Sequence, residues 1–528
     1  MTFNTYVATT LIAALLAGPA SSQLLPALPA PGPACLSPIA DVDPRRSLFI
    51  TEVEVVEQAF SLEEVLDQLA RDSGVPGLTA QDLWVQWWDT QNENLPSIGG
   101  GGSEIHCDDQ TDSLGNPAIN GYPIQCPRNE GSETSADPFN PRSQSFYKPI
   151  ALINRFDLAP TDGANCGEYR VIFGRQSGVS NGGNRNLVIF EAVLPNPQPG
   201  CGIDGCKQVA RFWERLSHVD APAMRAQMLR EFYLKGDRAN QIQPVIRVDH
   251  FGPGNGQIRT NQFMSGPNSQ IWQLREFKLA LQCAGGYGDC DLQFVPVSVK
   301  TNPFGELFSE ASTQPNTFPF MRHMLTQVEN LSEPDLNGFF NVIPNVFNAG
   351  QSNSQPPEND YPAHFANSPR FERALGRRLR RLGIRLDPID LVERSMTQSC
   401  GGCHQLSNGA DLGGDLDPWP SSLGFVHVDE GPPVAVNGIP HFEISPALED
   451  VFIPHREEVF ERYLSQMACV DCEDPGLSTS DQPVPIPVPL SADGTSPAWL
   501  SPDEVGRIDA ERKQGLLVET LGGPRRVH

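Results

Sequence analysis

From residue 147 to residue 302, apolar positions tend to recur at every second residue, the period of a strand that buries one face. Seven β-like runs lie here, several of them alternating: Ala151–Leu158, Tyr169–Phe173, Asn186–Leu194, Gln243–Asp249, Gln257–Phe263, Trp272–Leu281 and Leu292–Val299. Alternation is clearest in Trp272-Gln273-Leu274-Arg275-Glu276-Phe277-Lys278-Leu279. Gly252-Pro253-Gly254-Asn255-Gly256 reads as a hairpin loop joining the fourth run to the fifth. One helix interrupts, Ala221 to Lys235, with Asp220 as its cap and Gly236 as its stop. The pattern predicts a mainly antiparallel β domain over 147–302.

On either side the period lengthens to that of a helix. Ser61-Leu62-Glu63-Glu64 is a capping box ahead of Val65, Leu66 and Leu69, and Thr79-Ala80-Gln81-Asp82 opens a second helix. Trp84, Trp87 and Trp88 fall on that second helix, where an amphipathic face is buried as core. Residues 93–145 are rich in Gly, Asn, Asp and Pro and read as loops, so 46–146 is a unit of helices and stapled loops. After residue 303, Phe320–Leu331, Phe371–Leu382, Pro388–Ser399, Pro446–Phe452 and Glu457–Met467 are helical. The fold class expected is therefore α+β and multidomain, with a central antiparallel β domain followed by a helical, loop-rich region over 303–473.

The two ends read differently. Residues 1–22 have an apolar run and a small-residue cleavage site at Ala20-Ser21-Ser22, a signal peptide in outline, although Met1 to Thr10 lacks the usual Lys or Arg. Residues 23–45 are a Pro-rich leader, and 474–528 a Pro-rich linker and tail with a short helix over Ser501–Leu517. No other stretch reaches transmembrane length, so the mature chain is expected in the periplasm or outside the cell.

Composition narrows the partners. With 64 acidic against 38 basic side chains the net charge is −26, which repels phosphate backbones and excludes nucleic acid as a natural partner. Gly 47 and Pro 49 favour loops and sheet over a helical bundle. Of twelve cysteines, Cys201/Cys206, Cys283/Cys290, Cys469/Cys472 and Cys107/Cys126 are neighbours in sequence, leaving Cys35 and Cys166 for each other or for exchange. Such local disulfides suit an oxidising compartment.

Cys400-Gly401-Gly402-Cys403-His404 remains, and it is the most specific feature of the chain. Two thiols at this spacing reach the two vinyl groups on one porphyrin edge, and the following imidazole binds iron from the proximal side. A zinc site would require a second Cys/His pair at finger spacing, and none follows; Cys469-Val470-Asp471-Cys472 precedes Glu473, not His, so one haem per chain is expected. In Cys400, Cys403, His404 and the flanking helices, this region resembles the small c-type cytochromes. The resemblance covers about a quarter of the chain and implies covalent haem c, with His404 as axial base.

The sixth iron ligand would decide between electron carriage and chemistry on a bound small molecule. His427, His455 and Met467 stand as alternatives, and His441 is a further histidine in reach; Met396 is too close in sequence. Arg373, Arg377, Arg378, Arg380, Arg381 and Arg385 form a dense basic cluster that either meets haem propionates or an acidic partner, or is a solvated face. Asp157, Glu168 and Arg170, like Arg259, Arg275 and Glu276, read as buried ion pairs fixing strand register, with convergence in a pocket as the alternative. Asp411, Asp415 and Asp417 suggest calcium at a spacing that matches no standard loop. No nucleophile elbow, phosphate loop or HExxH motif is present.

Three functions follow. The first is an exported mono-haem c-type protein in electron transfer or redox chemistry, working with a redox protein or small molecule. The second is a disulfide-rich binding protein in which Cys400 and Cys403 pair with each other. The third is a haem peroxidase, which the lack of a second CxxCH disfavours.

Overall fold

An eight-stranded antiparallel sheet organises the chain. The computed structural model describes residues 41–94, 105–267, 270–283, 290–355 and 357–467. The signal peptide, most of the leader, Cys35, Cys469, Cys472, the Pro-rich linker and the 501–517 helix lie outside them. The strands are β1 (Phe49–Ile50), β2 (Tyr147–Arg155), β3 (Asn165–Arg175), β4 (Arg185–Pro195), β5 (Gln257–Phe263), β6 (Gln273–Cys283), β7 (Cys290–Val297) and β8 (Ser352–Asn353). They run in the order β1-β2-β3-β4-β5-β6-β8, and β7 pairs with the rest of β6. The main helices are α1 (Leu62–Ser73), α2 (Ala80–Asp89), α3 (Lys207–Ser217), α4 (Pro222–Leu234), α5 (Thr317–Leu331), α6 (Pro369–Leu382), α7 (Pro388–Thr397) and α8 (Ile453–Met467). The class is α+β, as the change of period implies.

The two faces of the sheet differ in chemistry. Val171, Phe190, Ile258 and Phe277 stand opposite one another across β3 to β6, in one apolar row. Trp87 of α2 covers that row: it lies parallel to Phe294 at 4.4 Å and edge-on to Phe190 and Phe277. Both capping boxes expected for α1 and α2 are formed, and Trp84, Trp87 and Trp88 are fully buried core. The opposite face carries charge. Arg155 faces Glu168, Arg170 faces Glu191, and Arg259 faces Glu276 across the strands. Side-chain distances are 3.2 Å for Arg170–Glu191 and 3.0 Å for Arg259–Glu276. A one-residue slip would bring these charges to the apolar face, so the pairs specify register.

Three expectations require correction. Gln243–Asp249 is not a strand. Pro244 removes a ladder donor, the chain closes into a 3-10 turn at Val248–Phe251, and the His250 ring bonds the Val245 carbonyl at 2.9 Å. The Gly252–Gly256 segment therefore joins that turn, and not a strand, to β5. Asp220 does not cap α4, whose N-cap is Ala221; its carboxylate instead meets Arg46 at 3.0 Å. Gly236 does end that helix, at φ +68, where a Cβ would lie 2.3 Å from the Ile242 carbonyl. Helix α3 has no counterpart in the sequence reading.

Buried residues from Val42 to Leu464 join one hydrophobic cluster, so the helical segments on both sides of the sheet share a core with it. Among the described residues no helix is long and apolar enough to cross a membrane. Cys107 and Cys126 are bonded, as their spacing suggests. Cys206 is bonded not to Cys201 but to Cys166, 40 residues earlier. The turn Pro199–Cys206 packs so closely on the loop before β3 that a Cβ on Gly163 would lie 2.0 Å from Gly202, and this brings Cys206 to the start of the strand. Cys201 and Cys290 are also disulfide-bonded, and strand register sets Cys283 opposite Cys290. Such bonds fit an extracytoplasmic protein. Replacing Cys166 and Cys206 together by Ala should lower the free energy of unfolding by about 2–4 kcal/mol, because the bond closes a long loop in the unfolded chain. Guanidinium melts of the two proteins measure this.

Candidate functional site

The CxxCH segment leaves α7 and enters a π-helical turn at Gly402–Leu406 directly over the charged face of the sheet. Both glycines are required there. A Cβ on Gly401 would lie 2.2 Å from the Asn353 carbonyl, and one on Gly402 1.8 Å from the Met396 carbonyl. β8 and its neighbour hold the turn: the Gly401 amide donates to Ser352 Oγ at 2.8 Å, and Ser354 Oγ donates to the Gly401 carbonyl at 3.1 Å. The amide of Gly402 donates to Ser399 Oγ at 3.0 Å. The motif is therefore bound to the sheet edge through its backbone.

Its three functional side chains are buried. Cys400 packs with Trp272, Leu274 and Val299, and burial pushes its thiol up to about 12. Cys403 is fully buried, and no disulfide joins it to Cys400. The geometry thus gives no support to a Cys400/Cys403 disulfide. His404 lies 5.3 Å from the Trp272 ring, and burial holds its pKa down at about 4, so the imidazole is neutral at pH 7. Its Nδ1 is 2.9 Å from the Phe425 carbonyl. A carbonyl only accepts, so Nδ1 carries the proton and Nε2 keeps its lone pair.

Asn261 of β5 locks this arrangement. The Trp272 indole donates to Asn261 Oδ1 at 2.6 Å, which turns the amide nitrogen towards the Phe425 carbonyl at 2.9 Å. Phe425 itself has φ +74, the left-handed region that a non-glycine residue rarely adopts, and it stacks on Trp272 at 6.1 Å. This conformation aims its carbonyl at both His404 and Asn261.

A small cleft, partly open to solvent, lies beside the motif. Cys400, His404 and His427 line it together with an apolar floor that includes Ile172, Ile189 and Leu187. Arg170, Glu191 and Arg259 of the sheet and Arg456 of α8 also reach it. Of the residues read as ion pairs, Arg170 and Arg259 line this cleft, whereas Asp157, Glu168 and Glu276 do not, and Arg275 bonds Gln273 Oε1 at 2.8 Å in place of an acid.

Of the three alternatives for a sixth ligand, only His427 borders this cleft. Its Nδ1 is 2.8 Å from Ser445 Oγ and its Nε2 3.3 Å from Cys403 Sγ. The His404 and His427 rings are 4.6 Å apart. His427 thus stands beside the Cys403 sulfur. His455 is in the first turn of α8, and Met467 ends that helix with its side chain outside the described residues. His441 bonds Thr51 Oγ1 at 3.3 Å, away from the cleft. Met396 is buried in α7.

The remaining expectations separate by exposure. Arg373, Arg377, Arg380, Arg381 and Arg385 are exposed, and Arg378 pairs with Glu329 at 3.3 Å, so the α6 cluster is a solvated face and none of its residues borders the cleft. Asp411, Asp415 and Asp417 are exposed, and Asp411 caps the Gly413 amide at 3.0 Å. Among the described residues no three His, Cys, Asp or Glu side chains converge as a ligand set. Sequence alone marks Asn261 only as part of the polar run Gln257–Gln262, and gives Trp272 and Arg456 no site role, because their sequence contexts are ordinary. The one available signal was the polar run Arg259-Thr260-Asn261-Gln262 inside a strand that is buried from Gln257 to Gln262.

A c-type haem suits this donor set. It asks for two uncrosslinked thiols and one neutral imidazole whose second nitrogen is anchored by a carbonyl, and it does not require three side chains to meet at one ion. No protein-family model matches the chain, and no curated protein or solved structure matches it.

Gly401→Ala should cost about 1–3 kcal/mol, because the methyl meets backbone that has no room to shift. Gly376→Ala, on helix α6 with the Arg380 tip at 3.4 Å and the Pro388 ring at 3.6 Å, should be neutral or stabilising by up to about 1 kcal/mol. Urea melts of the two variants against the parent measure both.

Proposed function

We propose that the protein is an exported mono-haem c-type protein engaged in electron transfer or related redox chemistry. The observation that carries this reading is the hydrogen bond from His404 Nδ1 to the Phe425 carbonyl, inside a CxxCH motif. It fixes the tautomer that leaves Nε2 as a ligand, and such a partner on the far nitrogen raises ligand basicity. A haem attached here would supply a one-electron iron couple. Cys400 and Cys403 would hold its edge, and His404 would be the proximal base. Burial of the motif in an apolar and arginine-lined cleft would exclude water and tune the potential.

The residues around the motif have separate tasks. Asn261 and Trp272 fix the Phe425 carbonyl and hence the His404 ring. Ser445 fixes His427 against Cys403. A redox protein or small molecule would be the partner, and the acidic surface favours one that is basic or neutral.

Protein produced in a host that matures c-type cytochromes should give a haem c spectrum in alkaline pyridine after denaturation, and Cys400→Ala with Cys403→Ala should abolish it. A colourless native protein from that host would sink the proposal. His427→Gln should leave the spin state of the ferric protein unchanged, since Ser445 and Cys403 already hold both ring nitrogens; a low-spin to high-spin change in the optical spectrum would make His427 the sixth ligand.

A further inference from the structure

The segment that carries Phe425 and His427 along the cleft continues away from it as a two-stranded ribbon. The Ser445 amide donates to the His427 carbonyl at 3.0 Å, Val428 pairs with Ile444, and the Asp429 amide donates to the Glu443 carbonyl at 2.9 Å. Arg185 of β4 pins this ribbon through ion pairs to Asp429 at 3.0 Å and Glu430 at 2.9 Å. Beyond it the chain forms a hairpin of β9 (Val434–Val436) and β10 (Ile439–His441). Asn437 and Gly438 make the two-residue turn, with φ +51 and +82, the backbone that so tight a hairpin demands. The root of the hairpin also meets the sheet edge, where the Phe442 amide donates to the Thr51 carbonyl at 2.9 Å.

The hairpin stands in solvent with an unusual composition for a protruding loop. Pro432 to Ala435 and Asn437 to Pro440 are exposed, and no Asp, Glu, Lys or Arg occurs from Gly431 to Phe442. Strand pairing sets Val434, Val436 and Ile439 on one face. Val434 and Ile439 leave 37 and 38 % of their surface in water. Pro432, Pro433 and Pro440 blunt the hairpin as a template for strand addition, so contact through this face is by side-chain packing. Acids surround it. Glu443 at the root, and Glu54 and Glu57 on the helix Val53–Ala59 that packs against β10, are all exposed. Among them lies one base, Lys148, held 4.8 Å over the Phe442 ring.

We infer that this hairpin is the docking element for the redox partner, a protein whose contact face is apolar and ringed by lysine or arginine. The inference rests on the redox reading above and names the partner of that same site. Continuity with the site supports it: the ribbon supplies His427 and Val428 to the cleft, and the apolar face begins about 13 Å further along, at ~3.3 Å per strand residue. Charge chooses among the occupants. A second copy would bring its own acids and a net charge of −26 against the first, and an anionic membrane would meet the same repulsion. A small interface with an apolar centre and a charged rim gives the weak, quickly released complex that electron transfer uses.

The test is isothermal titration calorimetry of the full-length holoprotein against a small lysine-rich cytochrome c, with an acidic ferredoxin as the control probe. The parent should bind the lysine-rich probe, more weakly as salt rises from ~10 to ~200 mM, and should not bind the ferredoxin. Val434→Ser with Ile439→Ser leaves the charge unchanged and should weaken binding about tenfold. As an independent variant on different elements, Glu54→Gln, Glu57→Gln and Glu443→Gln together should weaken it by about the same factor and flatten the salt dependence. Haem content by the pyridine method tests the redox reading by itself. A haem-loaded parent that does not bind the lysine-rich probe, or a hairpin variant that binds it as the parent does, overturns the docking inference and leaves the redox reading standing. A parent that sediments as a dimer and becomes monomeric in the hairpin variant overturns it too, since a second copy would then occupy the face.

Discussion

The carbonyl of Phe425 accepts from two directions, His404 Nδ1 and Asn261 Nδ2, both at 2.9 Å, and the candidate site depends on that double contact. It joins three distant parts of the chain: the CxxCH turn, the left-handed Gly424–Phe425 corner and the middle of β5. A non-glycine residue at φ +74 is held against a cost of about 1 kcal/mol or more, so the surroundings must over-determine it. They do so through the Trp272 ring under Phe425 and the Trp272 indole bond to Asn261. The same bonds set the tautomer of His404, so one strained corner fixes both the position and the chemistry of the imidazole.

The sheet supplies the second constraint. Its apolar face is satisfied by α1 and α2, with three tryptophans at the contact. Its charged face gains little net stability from the ion pairs, because removing such groups from water offsets most of their attraction. What they provide is register, together with a fixed electrostatic floor under the CxxCH turn. Deleting one member would leave its partner charged and buried, at about 3–5 kcal/mol. Structure and candidate chemistry are therefore tied: the lattice that aligns β2 to β6 also lines the cleft.

Much of this was legible in the chain. Period-two alternation located six of the sheet strands, and the Ser61 and Thr79 boxes located α1 and α2, because these signals are local. The Gln243–Asp249 segment misled for a physical reason: Val245, Ile246 and Val248 have β-type side chains, but Pro244 and the His250 bond to Val245 close the backbone instead. Proximity in sequence misled for Cys201 and Cys206, since the partner of Cys206 depends on how the turn docks on β3. For the site, Cys400, Cys403 and His404 were readable from spacing alone. Asn261, Trp272 and Arg456 were not, because each acts only through contacts made by folding, 143 residues apart for Asn261 and His404. The dense arginines of α6 drew attention by their density, yet the arginines at the cleft are scattered singly along three elements.

The most direct test is mass spectrometry of the peptide that carries residues 400–404, taken from protein matured in a haem c-competent host and alkylated before digestion. The account predicts one peptide heavier by the mass of a single haem, with neither Cys400 nor Cys403 alkylated. A peptide of unmodified mass, with both cysteines alkylated or joined in a disulfide, would contradict it.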